Sequence, residues 1–212
     1  MPPPTDAAGQ SAATGRRRAV ALAGHSGDEG TAQRGLHDPA PVVRAAALGA
    51  LARLGKLESG DVSRAMGDED PLVRARAAEV AIGFGRAVLG LLTTALTDGD
   101  ARVVEAACFA LGELGGDASG GVGDLAEVAG GHSDPLCREA AVAALGAIGA
   151  PEGLAAILAA TTDKPAVRRR AVLALAPFSG SDVDAALERA LTDRDWQVRQ
   201  AAEDLTGRAA TS

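Results

Sequence analysis

The chain has 212 residues, with 21 Lys and Arg against 28 Asp and Glu, and so a formal net charge of 21 − 28 = −7. Apolar residues make up 47% of it but aromatic residues only 2%, which leaves Ala, Val and Leu as most of the apolar mass. This composition favours helices, argues against a β-sandwich or barrel, and is too hydrophobic for an intrinsically disordered chain.

The N-terminal residues 1–15 carry one charge, Asp6, and no apolar periodicity, which predicts a disordered tail. The residues from Arg16 to Ala23 place three arginines before about five apolar residues, fewer than the roughly 7–15 apolar residues of a secretion signal. No uncharged apolar run reaches the roughly 18 residues of a membrane helix. We therefore expect a cytoplasmic chain without membrane association, with Cys108 and Cys137 as buried free thiols.

A sequence pattern repeats along the rest of the chain, and Gly55, Gly85 and Gly115 mark its period of 30 residues. The first two copies run from an Asp through Pro and Val-Arg into an Ala- and Leu-rich stretch that ends at Gly, and the later copies change one or more of these positions. A period of this length predicts stacked supersecondary units that share one core. The copies begin near Asp38, Asp68, Asp98, Asp134, Pro165 and Asp193, and the residues from Arg16 to Ala23 resemble those from Arg168 to Ala176, which predicts an N-terminal half-repeat.

Each copy is predicted to contain two helices. The Asp and Pro residues cap and start the second helix, and the glycines at 55, 85, 115 and 149 are expected to end it in a left-handed conformation. Between Gly115 and Gly149 the period lengthens to 149 − 115 = 34 residues, so the Gly-rich residues 115–123 predict a flexible insertion. The first helices are predicted at Glu29–Leu36, Asp61–Met66, Ala87–Leu96, Gly123–Ala129, Gly153–Ala160 and Asp182–Leu191.

The Pro-x-Val-Arg-x-x-Ala-x-x-Ala-Leu-x-x-Leu-Gly pattern resembles the short HEAT-like repeats, including those of the phycobilisome-lyase type, from about Arg16 to Gly207. The resemblance implies an all-α fold: a right-handed α-solenoid of about six two-helix repeats plus the N-terminal half-repeat. The repeat domain would span residues 16–208, with a frayed end at 209–212. The second helices would line the concave side.

The resemblance also implies a structural ladder, in which an Arg near the start of each second helix hydrogen-bonds to an Asp between repeats. Val104 stands where the third copy should have Arg, so the ladder is expected to be interrupted there. Carried over to this sequence, the ladder consists of Arg44, Arg74, Arg138, Arg168 and Arg199 with Asp38, Asp68, Asp98 and Asp193.

No catalytic chemistry is predicted. The three histidines, His25, His37 and His132, are never followed by Glu, as the iron ligands of the HEAT-like deoxyhypusine hydroxylases would require, so no metal site is expected. The segment Gly24–Gly27 lacks the last Gly of a nucleophile elbow, and residues 115–121 lack the Gly-Lys-Ser/Thr of a phosphate loop. We expect no catalytic residue, metal or cofactor.

Equivalent positions on the second helices place Phe109 among four glutamates: Glu79, Glu105, Glu113 and Glu139. An aromatic anchor with a carboxylate rim would suit a partner protein with a basic segment. The alternative is that Phe109 packs between helices and that the glutamates form a solvated face. Trp196, in the last repeat, is expected to cover the end of the core.

The sequence therefore predicts a non-catalytic scaffold or adaptor that binds a partner protein on its concave face. Two alternatives stay open: a nucleic-acid-binding protein similar to the HEAT-like DNA glycosylases, and an accessory subunit or lyase-like partner of an enzyme. The acidic charge argues against nucleic acid, although Arg168–Arg170 predicts a local basic patch. A negative concave surface would favour the scaffold, and a positive one would favour nucleic acid. The oligomeric state stays open.

Overall fold

The computed structural model describes residues 7–207, which form thirteen α-helices and three short 3-10 segments without a strand in that range. Along the chain the helices fall into two compact units that meet in sequence between Phe84 and Gly85. The fold is all-α and built from stacked two-helix repeats, as the sequence predicts. The predicted frayed end at 209–212 and residues 1–6 of the predicted tail lie outside the described range.

In the first unit, the longer helices α1, α3 and α5 pack side by side, and the shorter helices α2 and α4 lie against them. Helix α1 therefore occupies the place of a second helix, in agreement with the predicted half-repeat. The helices of this unit are α1 (Ala7–Ser26), α2 (Glu29–Gly35), α3 (Pro41–Leu54), α4 (Ser59–Met66) and α5 (Pro71–Ala81).

In the second unit, α7, α9, α11 and α13 pack consecutively as one layer, and α8, α10 and α12 pack as the other. Two of the 3-10 segments, Gly115–Gly121 and Pro151–Gly153, precede α8 and α10; the third, Ile82–Val88, precedes α6. The helices of this unit are α6 (Leu89–Ala95), α7 (Ala101–Leu114), α8 (Val122–Gly131), α9 (Pro135–Ile148), α10 (Leu154–Ala160), α11 (Pro165–Ala174), α12 (Ser181–Ala190) and α13 (Trp196–Thr206).

Side-chain caps explain where most of the second helices begin. Asp70, Asp100, Asp134 and Asp195 each precede a second helix and accept a hydrogen bond from the backbone amide two residues later. Such a bond satisfies one of the amides that have no partner inside the helix. In α5 and α9 a proline takes the first helical position, where no amide hydrogen is needed. Helices α3 and α11 begin at proline without a side-chain cap. In α5 the cap is Asp70, whereas Asp68, the first Asp of the Asp-x-x-Pro pattern, accepts the amide of Asp70 within the turn.

Small residues let the second helices approach each other closely. An added Cβ at Gly146 of α9 would lie only 2.6 Å from the Cβ of Ala174 on α11, and one at Gly112 of α7 would lie 3.2 Å from the Cα of Ala144 on α9. Fully buried leucines such as Leu111 and Leu145 fill the space between the two layers. The Ala-rich composition therefore serves the close spacing of the helices.

The prediction of a disordered tail at residues 1–15 is wrong from residue 7 onward, because helix α1 begins at Ala7 and not near residue 16. Val20 and Ala23 are buried, and they anchor the C-terminal half of α1. Once those turns are fixed, extending an Ala-containing helix toward its N-terminus adds one hydrogen bond for each residue ordered. The exposed residues before Arg16 can thus be helical without contributing to the core.

The glycines that end the second helices differ from the prediction in two cases. Gly55 and Gly149 adopt the left-handed conformation, with φ/ψ of 66°/28° and 67°/16°. Gly85 and Gly115 also have positive φ, but their ψ angles of −142° and −131° lie outside the left-handed helical region. Only glycine adopts this conformation readily, and each of the two glycines here lies within or at the start of a 3-10 segment.

The Gly-rich segment predicted as a flexible insertion is a 3-10 turn packed against neighbouring helices. Ala118 and Gly121 are buried, and an added Cβ at Gly121 would meet Thr93 at 3.0 Å and Leu111 at 3.7 Å. The extra residues thus occupy space between α6 and α7 and do not loop away from them.

One stretch, Pro71–Ala95, has the length and apolar content of a membrane-crossing helix. The structure divides it into α5, a 3-10 segment and α6, and Gly85 interrupts the helical backbone between them. A bilayer offers no partners to the backbone groups freed by such a break. The stretch is therefore not one continuous helix in the structure.

Candidate functional site

The ladder is present in each unit as paired hydrogen bonds between one Arg and one Asp. In the first unit, Arg44 on α3 donates from Nε and Nη2 to the two carboxylate oxygens of Asp68, at 2.9 and 2.7 Å. In the second unit, Arg168 on α11 contacts Asp193 in the same way, again at 2.9 and 2.7 Å. Both rungs link one second helix to the turn before the next, and all four residues are among those that the resemblance implies for the ladder.

Two further rungs include residues that the sequence pattern did not assign. Arg16 on α1 pairs with Asp38 at 2.7 Å, and Arg138 on α9 pairs with Asp163 at 2.7 Å. The similarity of Arg16–Ala23 to Arg168–Ala176 contains the signal for Arg16. Asp163 lies only two residues before Pro165 and not three, so it departs from the Asp-x-x-Pro spacing.

The rungs favour the ionised form of their carboxylates. The hydrogen bonds from Arg16, Arg138 and Arg168 lower the pKa of Asp38, Asp163 and Asp193. Burial opposes ionisation at Asp68, but the bonds from Arg44 and from the amide of Asp70 outweigh it and lower that pKa as well. Folding is thereby linked to the ionisation of these groups.

The other predicted ladder residues make hydrogen bonds to or within the turns. Arg74 donates to the carbonyl oxygens of Asp68 and Glu69, at 2.9 and 3.1 Å. Asp98 accepts the backbone amide of Asp100 at 2.9 Å, and Arg199 donates to the carbonyl oxygen of Asp193 at 2.8 Å. These bonds close the turns on which the rungs depend.

The step between α7 and α9 has no Arg–Asp rung, because both positions have changed. Val104 replaces the Arg and is fully buried, and His132 stands six residues before Arg138, as Asp38 stands before Arg44. His132 keeps the turn contact of the Asp, since its Nδ1 accepts the amide of Asp134 at 3.1 Å. Replacing both partners avoids leaving a buried charge without its partner.

A thiol lies in the same step. Cys137 Sγ donates to the carbonyl oxygen of Ala101 at 3.3 Å and so joins α9 to the start of α7. Cys137 and Cys108 are both buried and unpaired, and burial raises the pKa of Cys108 to about 12 and of Cys137 to about 11. Thiols that stay protonated near neutral pH are poor nucleophiles, so both act as small apolar side chains.

A surface groove of about 580 Å³ lies over α7 and α9 in the second unit. Ala140, Ala143 and Ala147 of α9 are part of its lining, so no bulky side chain from these positions fills it. We call this groove, with the six larger side chains that line it, the acidic groove. Those side chains are Glu105, Phe109, Glu113, Leu136, Glu139 and Arg170.

The acidic groove exposes two large apolar side chains: Phe109 is 55% exposed and Leu136 is 57% exposed. Phe109 therefore does not pack between helices, which was the alternative at the sequence level. Leu136 was missed by the sequence reasoning; the signal is that Val42, Leu72 and Leu136 each follow the proline of a second helix and each is exposed.

Three carboxylates and one guanidinium surround these apolar side chains. Arg170 lies 3.5 Å from Glu139 and offsets its charge. Within residues 7–207, neither Glu105 nor Glu113 has an ion-pair partner, so the groove keeps a negative charge. The predicted association of Phe109 with Glu105, Glu113 and Glu139 is thus present in one groove.

The fourth predicted glutamate, Glu79, lies in the other unit. It lies on α5 of the first unit and forms an ion pair with Arg76 one helical turn earlier. The repeat register assigns Glu79 to the same row as Phe109, but that row continues across the boundary between the two units. An expectation based on register alone cannot take such a boundary into account.

The sequence predicted that Trp196 covers the end of the core. In the structure Trp196 is 65% exposed and does not cover it. It takes the first position of α13, where four of the other second helices have proline. It lines a shallow groove of about 300 Å³ with Leu173 and Arg169. The core at this end is closed by Val198, Ala201 and Ala202, which pack against Val172.

No group of three or more His, Cys, Asp or Glu side chains placed to hold a metal ion occurs within the described residues. The charged side chains that contact each other there include the ladder pairs, local surface pairs such as Arg64–Asp61, and pairs between helices such as Arg170–Glu139. The geometry of the described site offers surfaces for binding.

A protein-family model described as HEAT repeats matches residues 61–120 and 122–205, more than half of the chain. The chain belongs to the HEAT repeat family. Two solved structures share this HEAT-repeat fold: an engineered protein (TM-score 0.63, 17% identity, 85% of this chain and 95% of that one) and YibA of Escherichia coli (TM-score 0.61, 19% identity, 80% and 66%).

Human deoxyhypusine hydroxylase in complex with glycerol matches with a TM-score of 0.49 and 21% identity, over 91% of this HEAT-repeat chain and 78% of that one. No curated protein sequence matches the chain. Likeness at these identities concerns the fold, and the function has to be argued from the surfaces of this chain.

Proposed function

We propose that this HEAT-repeat protein is a non-catalytic scaffold or adaptor whose acidic groove binds a partner protein through a segment with basic and apolar residues. HEAT repeats generally mediate protein interaction, which supports the scaffold role. The observation that carries the proposal is the exposure of Phe109 and Leu136 in one groove that is bordered by glutamates. Exposed apolar side chains grouped in a groove mark binding surfaces.

The apolar contacts would supply most of the affinity. Covering Phe109 and Leu136, each little more than half exposed, is worth about 1 to 2 kcal/mol apiece. Glu105 and Glu113 would attract Lys or Arg residues of the partner, which raises the association rate and selects the partner's charge more than it adds affinity. The expected ligand therefore has apolar residues flanked by basic ones.

The nucleic-acid alternative has no support from this groove, since its glutamates would repel phosphates. An accessory subunit of an enzyme would use the same surface, and it is one form of the adaptor role. The proposal also places the chain in the cytoplasm, on the ground that Cys108 and Cys137 are free thiols.

Selection from a displayed library of random dodecapeptides tests the proposal with the full chain as bait. We expect one group of selected peptides to be rich in Lys, Arg and apolar residues. That group should be lost when Phe109→Ala and Glu105→Lys are combined. Glu127→Lys, an exposed glutamate on α8 in the other layer of the same unit, is the matched charge control and should leave the selection unchanged.

Three outcomes of this selection would contradict the proposal. A basic group that survives the Phe109 and Glu105 changes would show that peptides bind elsewhere. A basic group lost equally with Glu127→Lys would show that net charge alone attracts the peptides. Selection without any basic group would refute the proposed ligand chemistry.

A further inference from the structure

A second groove, of opposite charge, lies on the first unit. It has a volume of about 430 Å³ and lies over α1, α3 and α5. We call it the basic groove: no carboxylate lines it, and its lining includes three arginines, one from each helix, together with exposed apolar side chains and alanines. The side chains and position used below are Arg17, Arg53, Arg76, Val42, Leu72 and Gly49.

Two glycines provide the space in which the arginines lie. An added Cβ at Gly49 of α3 would lie 3.2 Å from Cζ and from Nε of Arg76, so this guanidinium packs directly on the α3 backbone. An added Cβ at Gly24 of α1 would lie 2.9 Å from Nη1 of Arg53. Glycine inside a helix is less stable than alanine. At position 49 this cost is offset by the room that glycine leaves for the guanidinium of Arg76.

The basic groove has guanidinium groups available to a ligand. Among residues 7–207, Arg17 and Arg53 have no hydrogen-bond or ion-pair partner, whereas Arg76 pairs with Glu79, which does not line the groove. A guanidinium binds a carboxylate through two parallel hydrogen bonds, which makes a free Arg a selective carboxylate binder. The charge is thus complementary to an acidic ligand, although the whole chain is acidic.

The apolar lining decides between peptide and nucleic acid. Val42 and Leu72 are 37% and 39% exposed, and alanines lie between them and the arginines. A phosphate backbone gains nothing from such a surface, and three arginines are far fewer than the roughly 6–10 phosphate contacts of a typical DNA-binding protein. A peptide with both carboxylates and apolar side chains can use the whole lining.

We propose that the basic groove is a second docking site, which binds an acidic, apolar segment of a partner protein. Its carboxylates pair with Arg17, Arg53 and Arg76, and its apolar side chains cover Val42 and Leu72. This site goes beyond the proposed function, because it lies on the other unit and selects the opposite charge. The same chain then offers two grooves for two segments of opposite charge.

The dodecapeptide selection described above also tests this site, through a separate set of variants. We expect a second group of peptides rich in Asp, Glu and apolar residues. Combining Arg53→Glu with Arg76→Glu should remove that group from the selection. For a synthetic peptide from the group, fluorescence anisotropy should show a loss of affinity of about tenfold or more. The matched control is Arg18→Glu, an exposed arginine on α1 that does not line the groove, and it should change the affinity less than about twofold.

A second variant separates positioning from stability. Gly49→Ala improves the helix propensity of α3 but forces Arg76 out of its seat. We expect Gly49→Ala to lower the affinity for the acidic peptide several-fold without lowering the melting temperature of the protein. Unchanged affinity in Gly49→Ala would show that the seat of Arg76 plays no part in binding.

Each remaining outcome supports or overturns the proposal. Loss of the acidic group with the arginine variants, and retention of the basic group, supports the second site whether or not the acidic groove functions. The proposal is overturned if no acidic group is selected, if Arg18→Glu weakens binding as much as the paired variants do, or if a DNA duplex binds the basic groove more tightly than the peptide. It is also overturned if sedimentation shows that a second copy of the chain covers the groove and Arg53→Glu dissociates it.

Discussion

Val104 and His132 occupy the two positions that an Arg–Asp rung would take between α7 and α9. Val104 is fully buried, and His132 holds the turn through its Nδ1 in place of an Asp carboxylate. The two changes are matched, because at the next two steps, from α9 to α11 and from α11 to α13, an arginine finds an aspartate across from it. This step is therefore held by apolar packing and by the thiol bond of Cys137 to Ala101.

The matched change predicts a coupled pair of substitutions. Val104→Arg alone should destabilise the protein by about 3 kcal/mol or more, because it buries a guanidinium without a carboxylate. Adding His132→Asp should recover part of this loss. Urea unfolding of the wild type, both single variants and the double variant gives the coupling free energy. A coupling near zero would show that the two positions are not across from each other as a rung.

Removing an existing rung should also be costly. The side chain of Arg168 is only 6% exposed and that of Asp193 is 16% exposed, so Arg168→Ala leaves a largely buried carboxylate without its guanidinium. We expect a loss of about 3 to 5 kcal/mol in the free energy of unfolding. The neighbouring exposed Arg169→Ala is the control and should change it by about 0.5 kcal/mol or less. Equal effects would contradict a structural role specific to Arg168.

The lowered pKa values of the ladder carboxylates predict acid sensitivity. A carboxyl whose pKa is lower in the folded state stabilises the fold above its unfolded pKa, and this contribution disappears as the pH falls through the folded value. Stability should therefore decline on acidification through the ordinary Asp range and below it. In chemical unfolding at a series of pH values, Asp163→Asn should flatten this decline. An unchanged slope would show that Asp163 does not contribute to it.

Close packing of α9 on α11 predicts opposite effects for two Gly→Ala changes. Gly146→Ala would force its Cβ to within 2.6 Å of Ala174, so the helices must separate and stability should fall by about 1 to 3 kcal/mol. Gly123→Ala on α8 meets nothing within 4 Å and should stabilise the protein by about 0.5 to 1 kcal/mol. Thermal unfolding measures both, and a stabilising Gly146→Ala would refute the close approach.

The sequence alone determined the features that depend on short-range chemistry. The Asp and Pro residues near the helix starts and the period of 30 residues mark the two-helix units, and the resemblance to HEAT-like repeats implies a ladder that includes Arg44, Asp68, Arg168 and Asp193. The grouping of Phe109 with Glu105, Glu113 and Glu139 also follows from that register. Each of these depends on neighbours within a helix turn or on one repeat length.

Tertiary structure decided what depends on contacts between separate elements. It added Leu136 and Arg170 to the acidic groove, exposed Trp196, and seated Arg76 on Gly49. A side chain's exposure depends on which helices happen to pack over it, and a guanidinium can reach a groove only where the facing backbone leaves room. Periodicity in one chain does not contain that information, because it arises only when the helices are packed.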